Sequence, residues 1–212
     1  MLSFVIGRND WREYDQIVSL YTLELGRIEV LARGVKKILS KNSAFLELGN
    51  LIEAEIIPGK ELNHLGSVQV IKDFFDLRKI VVGNTVLVSS LHILSSFVTH
   101  QEKDERIFKL VYSWLDFLNN EETPLNIFLL DIFVVKLLAA LGFDISTMEK
   151  AEKETHYKLE VLVGAGWGTI GRLKFEEKES KILHNIIYQF CLYYSTSKIN
   201  DWAKLAYFNK IY

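Results

Sequence analysis

Cysteine occurs once, at Cys191, and proline twice, at Pro58 and Pro124, in a chain of 212 residues. One thiol excludes a disulfide framework and any multi-cysteine zinc site within a single chain, and it suits a reducing cytosol. So little proline, with 49 % apolar and 25 % charged residues, excludes a disordered polymer. An excess of positive charge is lacking too: the formal net charge is −2. No charged-then-apolar segment opens the chain, so no signal peptide is expected, and Met1 to Gly7 reads as the start of a strand. Ile80 to Val98 holds no Asp, Glu, Lys or Arg. Its polar residues Thr85, Ser89, His92 and Ser96 nevertheless fall four, three and four apart, a stripe along one helix face. Leu77, Ile80, Val81, Leu87, Val88, Leu91, Leu94 and Val98 cover the rest, which predicts an amphipathic helix rather than a membrane span.

Against this background, positive charge is gathered in one place. Arg27, Arg33, Lys36, Lys37 and Lys41 against Glu29 give residues 27–41 a local charge of +4. Gly34 sits among them, where the backbone can turn. Concentrated Lys and Arg attract polyanions by counterion release, whatever the base sequence. The competing reading is a solvated loop that is basic by accident.

The hydrophobic period divides the chain in two. Up to about residue 72 it is two: Leu2 to Trp11, Asp15 to Thr22, Arg27 to Arg33, Leu51 to Ile57 and Leu62 to Ile71 are predicted strands. Ile28, Val30 and Ala32 share one face while Arg27, Glu29 and Arg33 share the other; Ile52, Ala54 and Ile56 likewise oppose Glu53 and Glu55. A short helix is expected at Ser43 to Leu48, and Pro58-Gly59-Lys60 punctuates the last turn. Five short strands with one intervening helix predict a closed barrel of the OB type, whose ligand face is strands two and three with the loops after strands one and four. From Asp73 the period becomes helical. Ile107, Leu110, Val111, Trp114 and Leu118 mark a helix, and Thr123-Pro124 reads as the start of the next. That helix, Leu125 to Leu141, is apolar nearly all round and should end at Gly142. Leu183, Ile186, Ile187, Phe190 and Tyr194 mark another, and a last short one is expected to pack Trp202, Leu205 and Phe208.

The expected fold is therefore α+β: an OB-fold barrel at residues 1–75 and an all-α helical bundle at residues 76–212. Tyr157 to Val163 alternates and Arg172 to Phe175 resumes, so a small inserted β-hairpin is expected at about residues 157–175.

Catalytic constellations are sparse. Gly166, Gly168 and Gly171 spell a G-x-G-x-x-G after a possible strand, but a dinucleotide site needs a following helix and a second strand. His64, His92, His100, His156 and His184 show no metal-ligand pairing, and no serine stands in a G-x-S-x-G turn. Cys191 beside Phe190 reads as a buried thiol. Glu13 and Asp15 bracket Tyr14 as paired acids or as turn-forming, salt-bridging residues.

Phe4 to Asp15, with its Glu13-Tyr14-Asp15 turn, resembles the opening strand of the bacterial RecO family of recombination mediators. Thr22, Gly26 and the string Ala32-Arg33-Gly34-Val35-Lys36-Lys37 are similar to that family's next hairpin and its A-[K/R]-G-x-[K/R]-[K/R] segment. Phe74 to Arg78 and Leu141-Gly142-Phe143 resemble its barrel-to-helix junction and the end of its central helix. The resemblance implies a non-enzymatic protein that binds single- and double-stranded DNA and anneals complementary strands. It further implies that the protein helps RecA onto strands coated with single-strand-binding protein, with RecR as a partner and a cytoplasmic, nucleoid-associated location. Arg8, Arg27, Arg33, Lys36 and Lys37 match the family's basic positions, and charge and loop placement add Arg12 and Lys41. The chain departs from the family in lacking the four-cysteine zinc module that many members carry, so no cofactor is expected. Trp11, Tyr14 and Tyr21 are candidate stacking surfaces, with core packing the competing role of each. Five cations on a single strand predict a log–log salt slope of about −3.5. The rival expectation from another class is a protein-interaction scaffold whose basic loop is incidental, and the third is a nucleotide-dependent enzyme.

Overall fold

The computed structural model describes residues 1–37, 40, 42–120, 123, 125–143, 153–173, 176–195 and 198–205. Five strands form a closed barrel: β1 (Leu2–Asp10), β2 (Gln16–Thr22), β3 (Gly26–Ala32), β4 (Leu51–Ile57) and β5 (Asn63–Lys72), in the order β1-β2-β3-β5-β4. Alternation drives them. Ile28, Val30, Ala32, Ile52 and Ala54 are buried while Glu53 and Glu55 face out, and the inward residues of all five strands meet with Val35 and Leu46 in one core. A shift of register between Val5 and Gly7 lets Phe4, Val5 and Ile6 all be buried, the local twist that curls a sheet into a barrel. The short helix α1 (Asn42–Phe45) lies between β3 and β4, as expected.

The pairing places the loops. Asp10 pairs Gln16 and Gln16 pairs Ala32, so the β1–β2 loop and the residues after β3 share one end of the barrel. β3 and β5 run parallel with Val30 opposite Asn63, and β4, antiparallel to β1, runs past Leu2 away from Asp10, so the β4–β5 turn, residues 58–62, points away from that end. At the other end Gly26, at φ +68°, turns the β2–β3 hairpin against residues 98–108. There the Gln101 N–H donates to the Arg27 carbonyl at 2.8 Å, the Tyr21 hydroxyl to the Asp104 carbonyl at 3.3 Å, and Phe108 packs on Phe4. Residues 1–75 and 98–108 form one compact unit.

The second unit comprises residues 76–97 and 109–212. Its helices are α2 (Phe75–Lys79) from Asp76 on, α3 (Val81–Phe97), α4 (Glu105–Leu118) from Lys109 on, α5 (Leu129–Ala140), α6 (Lys153–Gly164), α7 (Trp167–Ile170) and α8 (Glu177–Tyr194). α5 is the apolar axis: Leu129, Leu130, Ile132, Phe133, Val134, Val135, Leu137 and Leu138 are all buried, and Trp114 stacks on Phe133 at 5.0 Å. Gly142 at φ +86° ends it in a Schellman turn, with N–H bonds from Gly142 to Ala139 and from Phe143 to Leu138. The start is different from that read in the sequence. α5 begins at Leu129, and Thr123 instead donates its hydroxyl to the Phe117 carbonyl at the end of α4; Pro124 lies outside the described residues.

Three further expectations are corrected. The hairpin at 157–175 is helical: Leu159 and Leu162, three apart, are buried while Val161 and Val163 are half exposed, which is helical burial. Lys136 completes that helix by donating to the Val163 and Ala165 carbonyls at its C-terminal end. Lys174 and Phe175, expected to be extended, lie outside the described residues. On α3 the solvent stripe runs through Val81, Val88 and His92, whereas Ser96 is buried and bonds back to the His92 carbonyl. The last turn is a 3-10 turn at Trp202–Lys204 with Trp202 buried; Phe208 lies outside the described residues. Among the described residues no helix is long and apolar enough to cross a membrane.

Candidate nucleic-acid interface

The end of the barrel that carries the β1–β2 loop gathers most of the sequence-predicted cations. Trp11 to Asp15 turns the chain between β1 and β2, closed by the Trp11 and Arg12 N–H groups on the Asp15 carbonyl. After β3, Arg33 to Lys37 forms a tight turn in which Gly34 takes φ +64°, the Lys37 N–H bonds the Gly34 carbonyl and Val35 is buried in the barrel core. The two segments are laced together. The Gly34 N–H donates to Asp15 Oδ1 at 2.8 Å, the Lys36 N–H donates to the Tyr14 carbonyl at 3.0 Å, and Lys37 Nζ stands 5.7 Å over the Tyr14 ring.

Arg12, Arg33, Lys36 and Lys37 are thus brought to one surface and are all exposed. Their states differ. Lys36 Nζ is held 2.7 Å from Asp10 Oδ2, whereas among the described residues Arg12, Arg33 and Lys37 form no ion pair. Arg8, one strand in, donates to Glu47 at 2.8 Å and to Gln16, which donates in turn to Asp10. Those contacts pull the Asp10 carboxyl below its usual pKa, the Gln16 bond first and Lys36 next. Arg27 does not join the group. It sits six residues back along β3, about 20 Å at strand spacing, and bonds Glu29 at 3.3 Å. Lys41 lies outside the described residues. Acids therefore dilute the patch: Asp10, Glu13 and Asp15 stand among its four cations.

The aromatics separate cleanly. Trp11 is 52 % and Tyr14 46 % exposed on the β1–β2 loop, beside the unpaired cations. The neighbouring Glu13 carboxylate raises the pKa of the Tyr14 hydroxyl. Tyr21 is fully buried against Phe108 and is excluded as a stacking surface. An exposed indole and phenol flanked by cations can stack unpaired bases while neutralising the phosphates between them.

A second polar cluster escaped the sequence reading. Asp131 on α5 and His184 on α8 are buried, with His184 Nδ1 2.9 Å from Asp131 Oδ1 and Nε2 3.0 Å from Asp201 Oδ1. Trp202 Nε1 donates to the same Asp131 oxygen at 3.0 Å. Burial pushes the Asp131 carboxyl pKa up. Burial by itself would lower that of His184, but its bonds to the two aspartates outweigh this and raise it. Both ring nitrogens are occupied, so the imidazole is not available as a base. A lone Asp in an apolar helix was the signal that could have found this cluster, since a buried carboxylate requires donors. Cys191 is buried and its thiol is pushed up to about 12, an inert group. The G-x-G-x-x-G follows helix α6 rather than a strand, and a Cβ on Gly164, Gly166 or Gly168 would meet nothing within 4 Å. A Cβ on Gly171 would instead meet the Phe117 ring at 3.4 Å. Among the described residues no group of three or more His, Cys, Asp or Glu side chains is arranged to hold a metal ion.

Barrel order and the helix between β3 and β4 define an OB-type domain followed by helices. Residues 3–74 match the family described as Recombination protein O N terminal. The chain is 27 % identical over 161 residues to the DNA repair protein RecO of Dehalococcoides mccartyi strain BAV1, covering 76 % of this chain and 62 % of that one. It is 26 % identical over 139 residues to that of Symbiobacterium thermophilum (66 % and 54 %), and 28 % over 146 residues to that of Listeria monocytogenes serotype 4b (69 % and 56 %). The chain is thus similar to RecO proteins, and its barrel is similar to their N-terminal domain. It spans between 54 and 62 % of the length of these curated relatives.

Proposed function

We propose that this chain is a non-catalytic DNA-binding mediator of recombinational repair. It binds single- and double-stranded DNA, anneals complementary strands and assists RecA loading on strands coated with single-strand-binding protein, with RecR as a partner. Residues 1–75 serve as its DNA-binding domain and residues 76–212 as its helical, partner-facing domain. It works without zinc, in the reducing cytoplasm at the chromosome. The observation that carries the reading is the juxtaposition of exposed Trp11 and Tyr14 with Arg12, Arg33 and Lys37, unpaired among the described residues, at the β1–β2 end of an OB barrel. The naming of its relatives as DNA repair proteins supports it. The test is annealing of complementary oligonucleotides coated with single-strand-binding protein. Faster annealing is expected, and an absence of both annealing and oligonucleotide binding would overturn the reading.

One observation favours the scaffold instead: Arg8, Arg27 and Lys36 are engaged by Glu47, Glu29 and Asp10. Partners retained through nuclease and high salt, with no shift of oligonucleotides, would decide for it.

A further inference from the structure

We infer that Asp15 is the positioning residue of the DNA surface, an inference that rests on the reading just proposed. An acid among cations that meet phosphate is unfavourable in charge alone, so its place there needs another reason. The geometry supplies one. Asp15 ties down both halves of the surface: its carbonyl closes the loop bearing Trp11 and Arg12, and its carboxylate holds the Gly34 N–H at 2.8 Å. Gly34, at φ +64°, is in the left-handed region, and Val35 beside it is buried. The Arg33–Lys37 turn is thereby anchored on one side by an apolar plug and on the other by Asp15. Lys36 N–H on the Tyr14 carbonyl and Lys37 over the Tyr14 ring complete the seam. With the acceptor gone, Arg33 and Lys37 lose their fixed spacing from Tyr14 and Trp11, and binding must then order the turn at its own expense.

Position and charge are separable by chemistry. Asp15→Asn keeps an oxygen for Gly34 and drops the charge; Asp15→Ala drops both. On this inference Asp15→Asn binds a single-stranded oligonucleotide at least as tightly as wild type. Asp15→Ala binds about three- to tenfold more weakly than Asp15→Asn, the effect of the one neutral hydrogen bond that asparagine keeps at a half-buried site. Without DNA, exchange of the Gly34 and Lys36 amides should quicken about tenfold in Asp15→Ala and stay near wild type in Asp15→Asn. Equal affinity and equal exchange in the two variants would overturn the inference. A wild-type protein that binds no oligonucleotide would instead sink the DNA reading, and the amide exchange would then show whether Asp15 is merely a structural tie. Circular dichroism of both variants establishes that the barrel is intact.

Discussion

Replacing Asp10 by asparagine should make this protein bind single-stranded DNA more tightly. Asp10 accepts one bond from Gln16 at 2.9 Å and one from Lys36 at 2.7 Å, and asparagine can keep the first while losing its charge hold on Lys36. In the wild type the unpaired cations at the barrel end are Arg12, Arg33 and Lys37 among the described residues. Three single-strand phosphate contacts give a log–log salt slope of about −2.1, shallower than the −3.5 that charge counting along the chain suggests. Freeing Lys36 adds a fourth contact and a slope of about −2.8. Extrapolated from 1 M salt, that added contact is worth about fivefold in affinity at about 0.1 M and under twofold at about 0.5 M.

Fluorescence anisotropy of a labelled oligothymidine across that salt range measures both lines. Lys36→Ala should barely move the wild-type line, yet return the Asp10→Asn line to it. By the same reasoning, alanine at Arg33, Lys36 and Lys37 together flattens the wild-type slope by about 1.4, because only two of the three are free to contribute. Acid cannot substitute for the mutation: Gln16 and Lys36 hold the Asp10 carboxyl below its ordinary pKa, so it stays charged through the mildly acidic range. Parallel, superimposed lines for wild type and Asp10→Asn would refute the argument, since they would mean that pairing with Asp10 does not govern Lys36.

Trp11→Ala should cost about 1–3 kcal/mol of single-strand affinity, the worth of one stacked base, and much less on a duplex whose bases are already stacked; equal losses on both would rule out stacking. Gly26→Ala puts a Cβ 2.0 Å from the Glu102 carbonyl oxygen at φ +68°, whereas Gly34→Ala meets nothing nearer than Lys37 Cδ at 3.6 Å. Both incur backbone strain of about 1–2 kcal/mol, but only Gly26→Ala adds a clash. Thermal melts should therefore rank it clearly the less stable. His184 holds its proton more tightly folded than unfolded. Its contribution is whole below about pH 6.5 and is lost as pH rises through the higher folded value. Urea midpoints followed by tryptophan fluorescence should fall from about pH 6 to about pH 9 in the wild type and much less so in His184→Gln.

The barrel was legible because each strand is half buried, and half burial writes itself into the sequence at period two. Ile28, Val30 and Ala32 against Arg27 and Glu29 give the face of β3, and Leu51–Ile57 was bounded to the residue. Tyr157 to Val163 misled for the same reason in reverse. Over seven residues, alternation and a three-residue spacing of Leu159 and Leu162 coincide, and the deciding partner, Lys136, lies 27 residues from the carbonyl it caps.

The cations were legible as a group but not in their states, because what engages each is set by register. Lys36 meets Asp10 across 26 positions, Arg8 meets Glu47 across 39, and His184 meets Asp131 across 53. Charge counted along a chain assumes that neighbours in sequence are neighbours in space. A barrel breaks that assumption at every strand, placing Arg27 near the start of β3 and Arg33 just past its end at opposite ends of the barrel while bringing the Arg12 loop to the Arg33 turn. The electrostatic footprint of such a domain is therefore a property of its closure, and the acids between the cations set its strength as much as the cations do.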